Sequence, residues 1–187
     1  MNDYKIKLIE RAIKHDKQSL NELIKLEQSN IYATLYYLKK DYIDLNDLLQ
    51  DVLIKLSKKI YQLKNPNNFK TWLNQIIINS YYDYLRKNKK RNILTTKNLD
   101  DETIYKIPDY TSNPQDDILS NELDFIIKTS IQNLPLHYKI PITLREIQGL
   151  SYDEISNITK TSQGTVKSRI ARARALIKND IDKYTRS

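Results

Sequence analysis

The side chains best equipped for chemistry lie in three clusters. Near the C-terminal end, Gln163, Thr165, Lys167, Ser168, Arg169 and Arg172 crowd into ten residues. Lys and Arg donate to guanine edges, and Gln, Ser and Thr pair with other base edges, so this set suits the reading of duplex DNA. A second cluster places Tyr81, Tyr82 and Tyr84 beside Arg86, Lys87, Lys89, Lys90 and Arg91. Aromatic rings interleaved with cations suit unstacked bases beside a phosphate backbone. Read by itself, this segment fits core aromatics with a solvated charge run slightly better. The third cluster is acidic: Asp44, Asp47 and Asp51, spaced three and four apart on one helical side. Carboxylates at that spacing suit a metal or acid–base work, but no histidine or further carboxylate converges on them. A polar face meeting a protein partner is the better reading.

Other chemistries lack parts. The chain has no Cys, which removes disulfides and thiolate metal sites. His15 and His137 are its two histidines and read as surface residues, and two glycines are too few for a phosphate-cradling loop. No cofactor and no metal are expected.

The elements that must hold these clusters are helical. Scarce Gly and Pro argue against sandwiches and barrels. Residues 3–15 read as a short helix, and Ser19 with Glu22 reads as a capping box opening a longer one. Asp44 opens an amphipathic helix that buries Leu45, Leu48, Leu49, Val52, Leu53, Leu56 and Ile60, and turns Asp47, Gln50, Asp51, Lys55 and Lys58 outward. Asn65-Pro66-Asn67-Asn68 is a loop. A helix then runs from Phe69, with Trp72, Leu73, Ile76 and Ile77 as its core face, to Arg91. Residues 92–118 lack periodicity, contain Pro108 and Pro114, and read as a flexible linker. From Leu119 helices resume, with a stripe to Leu134, a break at Pro135 and a stop at Gly149. Helices over 152–159 and 163–179 follow, the first capped by Ser151 with Glu154 in capping-box register. Short helix, tight turn at 160–162 and longer basic helix is the order of a helix-turn-helix. Ile155 and Ile158 should face Val166 and Ile170.

Charge is divided sharply. Residues 1–91 carry 18 basic and 10 acidic groups, residues 92–127 carry 2 and 8, and residues 128–187 carry 11 and 5. Two basic blocks flank an acidic bridge, and basic blocks attract a polyanion by releasing its counterions. No apolar stretch approaches about 18 residues, so no membrane insertion is expected. The first residues lack an apolar signal core, so the expected location is the cytoplasm.

The stretch LPLHYKIPITLREIQGLSYDEISNITKTSQGTVKSRIARARALI, from Leu134 to Ile177, closely resembles region 4 of the extracytoplasmic-function (ECF) sigma factors in the sigma-70 family. DLLQDVLIKL, NFKTWLNQIIIN and YYDYLRKNKKR, between Asp44 and Arg91, resemble their region 2. The resemblance implies an all-α protein of two small helical domains: residues 1–91 as region 2, an acidic linker at 92–118, and residues 119–187 as region 4. It implies a subunit, not an enzyme, that binds core RNA polymerase and directs it to promoter DNA, with an anti-sigma factor as a further partner. By position, Asp47, Gln50 and Asp51 would dock on polymerase. The loop residues Asn67 and Asn68, with Asn79, Tyr82, Asp83 and Arg86, would open and read the minus-ten element. Gln163, Thr165, Lys167, Ser168, Arg169 and Arg172 would read the minus-thirty-five element. The linker would thread toward the polymerase active site. The competing readings are a stand-alone repressor or activator using the helix-turn-helix alone, and a nucleic-acid enzyme. The former would normally dimerise, and the sequence shows no heptad seam.

Overall fold

The computed structural model describes residues 3–39, 43–95 and 117–185. Among them are eight α-helices and no strand: α1 (Asp3–Ile13), α2 (Lys17–Leu38), α3 (Leu45–Lys59), α4 (Phe69–Thr95), α5 (Asp117–Asn133), α6 (Leu136–Glu146), α7 (Tyr152–Thr159) and α8 (Gln163–Tyr184). The architecture is the all-α one expected. Helix covers both ends of the expected linker, through Thr95 and from Asp117. Its remainder, 96–116, lies outside the described residues.

The first four helices pack around one apolar centre. α2 contributes Leu23, Ile31, Leu35 and Leu38, α3 contributes Leu48, Val52 and Leu56, and α4 contributes Phe69, Leu73, Ile77, Ile78 and Tyr81. The cap of α2 differs from the sequence expectation. Asp16, not Ser19, accepts from the first-turn amides, those of Gln18 (3.0 Å) and Ser19 (3.3 Å). His15 adopts a left-handed φ of 68° and closes α1 so tightly that the new helix starts three residues earlier. Ser19 then lies inside the first turn, its hydroxyl donating to Asp16, and Glu22 pairs instead with the Tyr4 hydroxyl. Asp44 caps α3 as expected, accepting from Asn46 and Asp47 amides. The loop after α3 is stiffened by Asn65, whose side chain accepts from the Asn67 amide at 2.9 Å across a short 3-10 turn, Pro66–Asn68.

The last four helices form the second unit. Gly149, at φ +59°, lets the chain leave α6 with the Leu150 amide bonded back to the Leu144 carbonyl at 3.1 Å, the pattern of a left-handed helix stop. Ser151 and Glu154 make the expected capping box on α7, and Ser162 caps α8. Ile155, Ile158, Val166 and Ile170 are buried together, so α7 and α8 are locked as a helix-turn-helix. Helix α8 continues beyond the expected residue 179 to Tyr184.

The two units touch. α2 packs against α5 and α6, and α4 packs against α7.

Candidate docking face and nucleic-acid interface

On α3, Asp47 and Gln50 are exposed and Asp51 is half-exposed, sharing one side as the spacing required. Asp51 is engaged: Lys55, one turn on, pairs with it at 2.7 Å and with Asp83 of α4 at 3.3 Å. Burial works against the Lys55 charge, but the two carboxylates outweigh it and hold its pKa above the ordinary value. The sequence reading missed Ile54, which is 51% exposed although it is a large apolar residue. It lies seven residues after Asp47, so it falls on the same side. An isoleucine interrupting a polar face was the available signal.

Along α4 the three tyrosines separate. Tyr81 is fully buried, its hydroxyl donating to the Leu38 carbonyl at 2.6 Å. The Tyr84 hydroxyl accepts from the Asp44 amide at 3.1 Å. Tyr82 is 42% exposed. With Asn79, Asp83, Arg86, Lys55, Lys59 and Ile76 it lines a cleft of about 450 Å³. Burial raises the Tyr82 pKa, with the positive charge of Arg169 opposing it. The Asp83 carboxyl is partly desolvated, which alone would raise its pKa. Arg86 and Lys55 hold it below the ordinary range instead. Asp83 therefore orients two cations at the cleft. Lys55 and Lys59 were not among the expected site residues.

Asn67 and Asn68 are exposed but do not join that cleft. Asn68 lines a second one, of about 500 Å³, with Asn65, Thr71, Trp72 and Gln75 on one wall and Glu154, Asn157, Ile158 and Lys160 of the other unit facing them. Trp72, expected in the core, is half-buried here and packs on Phe69. Asn67 lines a third cleft, with Lys5, Lys70, Asn74 and Gln148.

On α8, Val166, Ile170 and Ala173 face inward. Lys167 and Arg172 are exposed, and the Lys167 ammonium sits 5.6 Å from the Tyr152 ring centre, where the ring face attracts it. Gln163 donates to Asp153 at 3.0 Å. The Thr165 hydroxyl shares a hydrogen bond with the Ser162 hydroxyl at 2.8 Å, and Ser168 donates to the Thr165 carbonyl at 3.0 Å. Arg169 is half-buried, near enough to Tyr82 for its charge to act on the phenol. Gln163 and Ser168 are exposed as Lys167 and Arg172 are, but their side chains, with that of Thr165, are engaged in local hydrogen bonds. No group of three or more His, Cys, Asp or Glu residues suited to a metal occurs among the described residues.

A helix-turn-helix with outward cations, joined in one chain to a second helical unit bearing a cationic and aromatic cleft, defines a two-domain DNA-binding protein. Residues 23–91 match the family model for sigma-70 region 2, and residues 124–177 match that for sigma-70 region 4. The chain is 34% identical over 178 residues to the ECF RNA polymerase sigma-E factor of Haemophilus influenzae, covering 93% of each. It is 33% identical over 185 residues to that of Escherichia coli K12, covering 96% of this chain and 95% of the relative. In fold it is similar to the sigma factor RpoE of Bartonella quintana, solved with the anti-sigma factor NepR, at a TM-score of 0.69 and 23% identity, covering 87% of this chain and 96% of that one. It is also similar in fold to CnrH, solved with the cytosolic domain of CnrY, at a TM-score of 0.65 and 18% identity, covering 97% and 99%. The chain belongs to the sigma-70 family, in its extracytoplasmic-function group.

Proposed function

We propose that this chain binds core RNA polymerase through the outer face of α3 and directs it to promoters. The cleft at Tyr82 and the loop 65–68 open and read the minus-ten element, and α8 reads the minus-thirty-five element as duplex. The observation that carries this reading is that regions 2 and 4 occur together in one chain that aligns over nearly the full length of its relatives. A cleft with Tyr82 beside Lys55, Lys59 and Arg86 suits a strand with its bases unstacked. The exposed N-terminal half of α8 suits the major groove. Residues 1–91 serve as the polymerase-binding and melting domain, residues 119–187 as the duplex reader and the acidic stretch between them as a linker. The chain works as a regulatory initiation factor, and catalysis belongs to the polymerase. Its place is the cytoplasm, where core polymerase works, and no described helix is long and apolar enough to cross a membrane. An anti-sigma factor is a fitting regulator, since both solved structures of this fold named above were obtained with a bound partner.

Run-off transcription on genomic fragments with core polymerase tests the proposal. Discrete transcripts that depend on the added chain are expected. Absence of such transcripts, together with failure to co-purify with core enzyme, overturns it.

A further inference from the structure

One aromatic ring in the second unit gathers positive charge around it. Tyr152 is the first residue of α7 and is half-buried, packed against the apolar centre. The Arg145 guanidinium, from α6, lies over its ring at 4.8 Å from the centre, and the Lys167 ammonium, from α8, at 5.6 Å. Both distances are inside the roughly 6 Å within which a ring face attracts a cation. Arg145 is anchored a second time, donating to the Leu150 carbonyl at 2.8 Å. Lys167 is exposed, and among the described residues no carboxylate forms an ion pair with it. Asp153, next to Tyr152 in sequence, accepts from Gln163 instead, at 3.0 Å. The ring is thus the contact that can hold Lys167 in place.

An exposed lysine ordinarily samples many rotamers, and ordering it against a base edge costs that freedom. A ring already holding the ammonium removes part of the cost before DNA arrives. It also narrows the set of edges within reach, so it acts on the choice of sequence and not on affinity alone. The ring need not be given up on binding. An ammonium has three N–H groups. One side can rest on the ring while the others meet the O6 and N7 acceptors, which only guanine presents together in the major groove. Arg145, of like charge and fixed by the Leu150 carbonyl, limits how far Lys167 can settle on the ring.

We propose that Tyr152 is a positioning residue for sequence choice: its ring aims the Lys167 ammonium at a guanine edge in the duplex. The inference rests on the sigma-factor reading, which makes α8 the duplex reader. Tyr152 itself belongs to the first helix of the helix-turn-helix, which crosses the backbone, whereas the second helix enters the groove. Its effect on sequence therefore passes through Lys167. The phenol hydroxyl is dispensable for this task, since the ring face alone attracts the ammonium. A hydroxyl acting at a phosphate would instead bear on all sequences alike.

The test compares the full chain with Tyr152→Phe, Tyr152→Leu and a chain carrying a trifluorinated phenylalanine at position 152, which keeps the ring's shape and cancels its negative face. In the free chain, NMR should show the ε-methylene protons of Lys167 shifted upfield by the ring in the parent and in Tyr152→Phe, and at ordinary values in Tyr152→Leu. Promoters recovered by run-off transcription with core polymerase supply duplexes for single-base substitution across the minus-thirty-five element. The parent and Tyr152→Phe should favour guanine at one position by about tenfold, an ordinary value for one good base contact. Tyr152→Leu and the trifluorinated chain should cut that preference to about twofold and change other positions little, and adding Lys167→Ala to Tyr152→Leu should cost nothing further at that position. Circular dichroism identifies a Leu variant that has lost its fold, and the trifluorinated chain, which keeps the packing, then decides. An unshifted Lys167 signal in the parent, an undiminished guanine preference in the folded trifluorinated chain, or equal loss at all positions overturns the proposal. A chain that shows the ring shift but supports no transcription with core enzyme sinks the sigma-factor reading instead.

Discussion

Lys167 and Arg172 are both exposed cations on α8, yet they are placed for different work. Five residues separate them, or about 140° around a helix of 3.6 residues per turn. Lys167 lies in the N-terminal half, the part by which a recognition helix enters the groove, and its ammonium sits over the Tyr152 ring. Arg172 lies more than a turn further on. A base contact is worth about 1–3 kcal/mol of discrimination, whereas a phosphate contact weakens all sequences alike and lowers the salt slope by about one. Lys167→Ala should therefore relax preference within the minus-thirty-five element, and Arg172→Ala should lower affinity more evenly. Binding to single-base promoter variants at two salt concentrations separates the two. Equal loss across every variant for Lys167→Ala would remove its role as a base reader. The cation pattern made these two residues legible in the sequence. The diversion of Thr165 and Ser168 into the helix's own hydrogen bonds was not, because a hydroxyl's choice between cap and solvent depends on local geometry.

Helix α3 shows what periodicity reveals and what it hides. Its Asp44 cap occurs as read, and so does its stripe through Leu45, Leu48, Leu49, Val52 and Leu56, while Leu53 at the stripe's edge is only partly buried and Ile60 is buried just past the helix end. Ile54 escaped because a search for periodic apolar residues discards one that falls off the stripe. Its exposure beside Asp47 and Gln50 gives the face an apolar centre in a polar rim, the usual anatomy of a protein interface. Ile54→Ala should weaken binding to core polymerase roughly tenfold, from about 1–2 kcal/mol of lost apolar burial. Asp47→Lys should also weaken it, at a small cost to the helix, since an acidic first turn favours the N-terminal dipole. Titration against core enzyme, with helix content checked by circular dichroism, measures both. Unchanged affinity in both variants would remove α3 as the docking face. The misplaced cap on α2 has the opposite origin. Ser19 and Glu22 have the right spacing, but the left-handed turn at His15 makes Asp16 the cap, and the mild preference of histidine for that conformation was too weak a signal to mark it.

At the scale of the whole chain, the two basic units and their helical class were readable because charge and periodicity are summed over many residues. The join between them was not. Gln148 meets Asn30 across 118 residues, and polar residues that pair over so long a separation leave no periodic trace. That join also surrounds Trp72, the chain's one tryptophan, which stands half-buried in the cleft facing α7. The protein thus carries an intrinsic optical gauge of the contact between its two units. Indole emission moves to longer wavelength as water reaches the ring, and excitation at the red edge isolates it from the 14 tyrosines. Thr34→Val, distant from the ring in sequence but removing the hydroxyl that accepts from Gln148 at 2.6 Å, should shift the emission of the chain to the red and raise its quenching by iodide. A spectrum and quenching identical to those of the parent chain would mean that the indole's surroundings do not depend on the Gln148–Thr34 contact.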